Sequence, residues 1–251
     1  MKVIDMHAHL WYQRYTDCKV RIMRSVEHYG IDEIFVSTLL SRNPSMEEVE
    51  LMNAVAYEFA REEPKHIKPY VYISHEHPNT VDVIRRGIED NGAIGVKIWV
   101  SEFCDSESVN PVAEKLIEYG KPLLIHAQTN STPKIPNLRA SCSVNIRNLA
   151  LRYPELQIIM AHTDTNPYRG VQNVYGLDNV FVDFSGGSGK AGDIEYTVRH
   201  LGADKVLFGT DLSECSFGVP YGRLMESSIT DEEKQMILYK NTVKLFYGKE
   251  V

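Results

Sequence analysis

The chain has no apolar run of about eighteen residues, so no membrane-spanning helix is expected of it. Positive charge is short: 27 Lys and Arg stand against 34 Asp and Glu, a net charge of −7. That balance argues against the basic footprint of a nucleic-acid-binding protein. Cysteine is sparse. Cys18, Cys104, Cys142 and Cys215 are scattered without C-x-x-C spacing. The N-terminus, Met1-Lys2-Val3-Ile4-Asp5, enters a strand pattern without a signal peptide's apolar stretch. The cysteines are therefore expected to be reduced thiols of a cytoplasmic protein. No G-x-G-x-x-G follows the first strand, which weighs against a dinucleotide fold. No linker, low-complexity tract or long charge run divides the chain, so one domain over residues 1–251 is expected.

One glycine-rich segment, Gly186-Gly187-Ser188-Gly189-Lys190, resembles a phosphate loop and fails as one. Ala191 follows the lysine where Ser or Thr is needed, and Phe184 takes the place of the first glycine. It reads as a flexible loop opening a helix whose N-terminus could receive an anionic substrate group.

What is present is regular alternation. Strand patterns fall at Val3–His7, Ile31–Thr38, Lys68–Ser74, Ala93–Val100, Pro122–Ala127, Gln157–His162, Val180–Phe184 and Lys205–Thr210. Helical spacing lies between them, as in Val49, Met52, Ala56 and Phe59, or Val81, Ile84 and Ile88. The last helix opens with Thr230 and Glu233, a capping box. Eight strands alternating with helices predict an α/β fold, a closed (β/α)8 TIM barrel rather than an open sheet. In such barrels chemistry belongs at the C-terminal ends of the strands.

Polar residues gather at those ends. On strand one, Asp5, His7 and His9 are predicted to share one face with Val3, while Ile4, Met6, Ala8 and Leu10 share the other. Two imidazoles two residues apart suit either a divalent metal or a structural hydrogen-bonded pair. On strand four Lys97 and Trp99 face away from Ile94, Val96 and Ile98. Lys97 then needs a buried partner, for which Asp5 is a candidate, or a direct role. His126 ends strand five, His162 ends strand six, and Asp211 follows strand eight. Together with His7 and His9 these point to a metal site. Imidazole plus carboxylate suits Zn²⁺, with Mn²⁺, Fe²⁺ and Co²⁺ also compatible. His75 and His77 follow strand three and are expected in a solvated loop; His28, His66 and His200 are expected at the surface.

In their order along the chain, these motifs resemble the amidohydrolase superfamily, specifically its amidohydrolase-2 branch of metal-dependent TIM-barrel hydrolases and decarboxylases. The resemblance rests on Asp5-Met6-His7-Ala8-His9, Gly95-Val96-Lys97-Ile98, His126, His162 and Gly209-Thr210-Asp211. It extends to Tyr239-Lys240-Asn241-Thr242-Val243-Lys244-Leu245-Phe246, which is similar to the family's closing helix. It implies that His7, His9, His126 and Asp211 hold the metal and that His162 sits just outside them. It favours one ion, Zn²⁺ first, with a second only if Lys97 is carboxylated. Short loops after strands one and five imply no lid domain.

The expected activity is hydrolysis of a small-molecule amide, ester or lactone by a metal-activated water. The metal would lower the water's pKa from about 15.7 to about 7. Asp211 would carry the proton and His162 would orient the water. Lys97, Trp99 and Trp11 would contact substrate, with Tyr12 beside them; Arg139 is a candidate carboxylate partner or a plain surface residue. The alternative is non-oxidative decarboxylation of an aromatic or unsaturated acid. A non-catalytic metal-binding barrel and a metal-free lactonase-like relative are the further readings. The partners expected are a small-molecule substrate and another copy of the chain, as a homo-oligomer.

Overall fold

In a computed structural model the described residues are 2–128, 139–186 and 189–249. The loop after strand five lies largely within residues 129–138, so the expectation of no lid there falls outside the described residues. So does the middle of the glycine-rich segment, Gly187 and Ser188.

Parallel strands pair in chain order, as predicted: β1 (Ile4–Trp11), β2 (Glu33–Leu39), β3 (Ile67–Pro69), β4 (Val71–Tyr72), β5 (Val96–Ile98), β6 (Leu123–Ile125), β7 (Ile158–Met160), β8 (Val180–Asp183) and β9 (Val206–Leu207). The predicted third strand is two short pieces, β3 and β4, joined through Tyr70. Tyr70 N–H donates to Val36 O at 2.8 Å, and Val71 N–H donates to Gly95 O at 3.0 Å, so pairing passes from one neighbour to the other. The ring closes where Met6 N–H reaches Phe208 O at 2.9 Å and Asp211 N–H reaches His7 O at 2.8 Å. Eight strand positions therefore close into a (β/α)8 barrel. Among the described residues no helix is long and apolar enough to cross a membrane.

The helices cover the outside. The first ones are α1 (Tyr15–Tyr29), α2 (Met46–Glu62), α3 (Thr80–Asn91), α4 (Asn110–Tyr119) and α5 (Ser143–Arg152). They are followed by α6 (Pro167–Val174), α7 (Asp193–Leu201), α8 (Gly218–Glu226), α9 (Asp231–Gln235) and α10 (Asn241–Tyr247). The predicted capping box is present: Thr230 Oγ1 accepts from Glu233 N–H at 3.2 Å, and Glu233 Oε2 accepts from Thr230 N–H at 2.7 Å. From there α9 continues through a widened turn at Met236–Lys240 into α10.

The barrel interior is layered. Its floor is Ile4, Met6, Phe35, Tyr70, Leu124, Ile159 and Leu207, sealed from below by Val243 and Phe246 of α10. Phe35 and Phe246 meet edge to face at 4.9 Å between ring centres. Tyr70 is fully buried there, and its hydroxyl donates to Met6 O at 2.9 Å.

Strand one departs from strict alternation. Ile4 and Met6 belong to this floor, whereas Ala8 and Leu10 pack between barrel and helices. The pairing of β1 with β2 shifts between Asp5 and Ala8. A bulge puts an extra residue into one strand and re-aims the side chains beyond it. Here it lets Met6 fill the floor while His7 and His9 point into the layer above. Gly209 makes room for them, since a Cβ there would lie 2.8 Å from His7 Cβ.

Candidate metal centre and active site

Above the floor, His7 Nε2 lies 3.0 Å from His9 Nε2, and Asp211 Oδ1 lies 3.3 Å from His9 Nε2 and 3.9 Å from His7 Nε2. These three donor atoms converge within 4.8 Å of one another. The imidazoles are aimed from behind. Asp183 Oδ2 sits 2.8 Å from His7 Nδ1, and Ser37 Oγ sits 2.8 Å from His9 Nδ1. Assigning the Nδ1 protons to those partners leaves both Nε2 lone pairs facing each other and the carboxylate. Three electron-rich atoms so placed repel; a divalent cation among them turns the repulsion into attraction. The donor set therefore fits a metal of the Zn²⁺ or Mn²⁺ kind.

Electrostatics agree. Burial, with help from the Lys97 charge, pushes His7 below the ordinary histidine range and His9 well below it. Both are neutral, the form that binds metal. Burial works to raise Asp183, but the neighbouring His7 and Ser185 outweigh it and hold the carboxyl below the usual range. Asp183 is a hub. Beyond His7, it accepts from the backbone N–H groups of His162 and Ser185, both at 2.9 Å, and from Ser185 Oγ at 2.5 Å. The sequence reading passed over it, although a lone aspartate ending the apolar run Val180–Val182 is itself a signal.

Lys97 is wholly buried, as an inward lysine on strand four requires. Its partner is His7 rather than Asp5: Nζ lies 3.0 Å from His7 Nε2. Burial pushes its pKa down to about 8, against the pull of Asp211 and Asp183. Asp5 is spoken for, because its carboxylate takes Thr210 Oγ1 at 2.5 Å, Thr210 N–H at 3.0 Å and His7 N–H at 3.2 Å. Burial pushes the Asp5 carboxyl up to about 7.

His162 and Asp211 lie where the chain turns left-handed. His162, Thr163, Asp164 and Thr165 have φ of 59°, 44°, 62° and 55°, and Asp211 has φ of 64°. Each such residue costs on the order of 1–3 kcal/mol and persists only where its surroundings hold it. Asp183 does the holding for the first turn: its side chain takes His162 N–H, and its carbonyl takes Thr163 Oγ1 at 2.6 Å. Ser143 Oγ ties down Asp164 at 2.5 Å.

His126, expected among the ligands, is placed beside His162. Its Nδ1 pairs with His162 Nε2 at 3.2 Å, and it is absent from the converging trio. It follows directly on β6, which ends at Ile125, and the His126 and His162 rings meet edge to face at 4.9 Å between centres. Burial, then the neighbouring His162, pushes His126 well below the ordinary range. His126, His162 and Asp211 line one cavity of about 210 Å³, together with Phe184, Ser185 and Arg223.

Trp11 and Trp99 lie outside that lining. They are half-buried and meet edge to face at 5.8 Å, with Tyr12 packed nearby against the core. Arg139 forms a two-pronged pair with Glu76 at 2.9 and 3.1 Å, both side chains exposed. His28 and His200 are exposed, and His66 is half-buried against the carbonyls of Ile31 and Asp32. His75 is buried rather than solvated. Its Nδ1 meets Ser108 Oγ at 2.8 Å, and its Nε2 faces Glu102 Oε2 at 3.8 Å. The neighbours that cover it, Ser108 and Glu102, come from the segment after β5.

Solved structures share this fold at low sequence identity. A 2,6-dihydroxybenzoate decarboxylase from Rhizobium is 16% identical, with a TM-score of 0.81 over 98% of this chain and 99% of its own. A dihydroxybenzoic acid decarboxylase from Polaromonas sp. JS666, solved with bound manganese, is 15% identical with a TM-score of 0.81 over 98% and 97%. A 4-oxalomesaconate hydratase from Rhodopseudomonas palustris is 14% identical with a TM-score of 0.74 over 98% and 95%. No curated protein matches the chain. Residues 4–247 match the amidohydrolase family, and the chain belongs to it.

Proposed function

We propose that this protein is a divalent-metal-dependent decarboxylase of a small aromatic or unsaturated carboxylic acid. The observation that carries the reading is the convergence of His7 Nε2, His9 Nε2 and Asp211 Oδ1 beside a small cavity. Of the three, only Asp211 reaches that cavity appreciably, with 17% of its side chain exposed against 0% and 4% for His7 and His9. Support for carbon–carbon cleavage over hydrolysis comes from the named activities of similarly folded proteins, two of them decarboxylases.

In this reading His7, His9 and Asp211 hold one ion, and His126 and His162 flank it. An ion held there, Mn²⁺ or Zn²⁺, would supply Lewis-acid stabilisation of negative charge on the substrate. Asp183 and Ser37 fix the imidazole tautomers. The bond to the carboxylate breaks, its electron pair stays on carbon, and CO₂ leaves. The carbon takes up one proton, which Asp211 would first accept from solvent water entering the cavity and then pass on, leaving hydroxide to solvent, and His162 positions the substrate beside it.

Hydrolysis of an amide, ester or lactone is the second reading. It is favoured by the same opening of Asp211 onto the cavity, where its carboxylate can take a proton from water. Protein loaded with Mn²⁺ or Zn²⁺ is to be incubated with a panel of hydroxybenzoates, with release of CO₂ as the readout. Release is expected, and Asp211→Asn should cut it by about 10²- to 10⁴-fold with the fold intact. No CO₂ across the panel, with turnover of a lactone or amide instead, overturns decarboxylation in favour of hydrolysis.

A further inference from the structure

Arg223 is a cation in the wall of the catalytic cavity that neither the metal centre nor the proton transfer uses. It comes from α8 and reaches across to the loop after β8. The guanidinium makes one hydrogen bond among the described residues, from Nη1 to Phe184 O at 3.2 Å. Its carboxylate neighbour, Asp193, stands off at 3.8 Å and already accepts Lys190 N–H at 2.6 Å. Among the described residues this half-buried guanidinium has five donors, one hydrogen bond and an ion-pair neighbour beyond hydrogen-bond distance, so donors remain for a ligand. Burial accordingly pushes Arg223 below the ordinary arginine range, in spite of Asp193.

The surroundings are shaped for it. The guanidinium sits over the Phe184 ring at 5.8 Å. It also lies on the backbone of Gly189, where an added Cβ would fall 1.7 Å from Arg223 Cζ. Only glycine at 189 leaves that space. The cavity wall thus carries Asp211, His162 and His126, and also a planar cation, Arg223, beside the Phe184 ring with Asp193 as its ion-pair neighbour. A planar guanidinium matches the two oxygens of a carboxylate or of a phosphoryl group.

We propose that Arg223 binds a second oxyanion of the substrate, distant from the reacting group, so that the enzyme selects small acids carrying two anionic groups over monoanions. The selection rests on the reading of the cavity as the reaction site. Arg223 would set affinity through a bidentate contact that a neutral side chain cannot make.

The test is calorimetric binding of named probes to the metal-loaded protein, which requires no turnover. Benzoate carries one anion, benzene-1,3-dicarboxylate two carboxylates, and 3-phosphonobenzoate a carboxylate with a phosphoryl group. The wild type is expected to bind at least one dianion about 10- to 100-fold more tightly than benzoate. The dianion it prefers identifies the oxyanion. Arg223→Gln should erase that preference and leave benzoate affinity unchanged. Gly189→Ala keeps the charge but pushes the guanidinium aside, and should weaken the same dianion. Equal affinity for dianions and benzoate in the wild type overturns the proposal, as does a preference that survives in Arg223→Gln. Weakening of all three probes alike in both variants, with a lowered urea midpoint, assigns Arg223 to clamping the loop and also overturns it. Dianion selectivity without any CO₂ release would leave this inference standing and remove decarboxylation.

Discussion

The lower and upper halves of the barrel interior are built on the same strands and solve opposite problems. The floor buries Ile4, Met6, Phe35, Leu124, Ile159 and Leu207 beneath Phe246, with one hydroxyl that finds a carbonyl. The layer above buries His7, His9, Lys97, Asp183 and part of Asp211. Burial of apolar area stabilises the first; it penalises every charged form in the second. The upper layer answers by neutralising its imidazoles and giving Asp183 four donors. The contrast teaches that stability and chemistry are stacked within one barrel, the floor residue preceding the polar one along the strand: Met6 before His7, Leu124 before His126, Ile159 before His162 and Leu207 before Asp211. Strand one crosses the boundary at its bulge, where Met6 and His7 become neighbours in different layers.

That separation can be broken from above or below. Replacing both His7 and His9 by alanine should reduce bound metal from stoichiometric to background and lower the urea midpoint of metal-free protein, because Asp183 and Lys97 lose their His7 partner. Elemental analysis of the purified double variant decides it, and full metal content there removes the site. From below, Phe246→Ala should cost about 3–5 kcal/mol of stability by opening the floor. Metal content should stay normal in that variant; its loss would mean the two layers are not independent.

Smaller perturbations sharpen the boundary. Asp183→Asn keeps the shape but withdraws the carboxylate behind His7, and should weaken metal affinity by about 10- to 100-fold. Competition with a chelator measures this; unchanged affinity would reduce Asp183 to a clamp on the His162 turn. Away from the barrel axis, burial lowers the pKa of His75, with Glu102 pulling the other way. The unfolded chain then binds more protons than the folded one below about pH 6.5, so stability falls as pH drops through that value. His75→Gln should flatten the slope by up to about 1.4 kcal/mol per pH unit. Parallel pH profiles of urea midpoint for variant and wild type would sink this assignment.

Much of the fold was legible because periodicity is a local signal. Alternating apolar runs and helical spacings, read along the chain, placed each barrel strand, and Thr230 with Glu233 announced the start of the closing helix. Part of the site was legible for the same reason. His7 and His9 stand on β1, and His126, His162 and Asp211 follow the ends of β6, β7 and β9. Asp183 was missed because one aspartate after an apolar run gives no spacing to recognise, and two of its four donors, on His7 and His162, come from distant segments. Arg223 was missed because helix α8 carries it, and only the closed ring brings it to the cavity wall.

The sequence by itself determined the order of strands and helices, the barrel, and the residue types available at its catalytic end. Those depend on backbone periodicity and on the chemistry of single side chains. Only the tertiary structure decided which of them meet. It drew His7, His9 and Asp211 together and sent His126 to His162, and it gave Lys97 to His7 instead of Asp5. Convergence of this kind goes with a bulge in strand one and left-handed turns at His162 and Asp211. Such features are held in place by packing from residues far along the chain, and no local pattern encodes them.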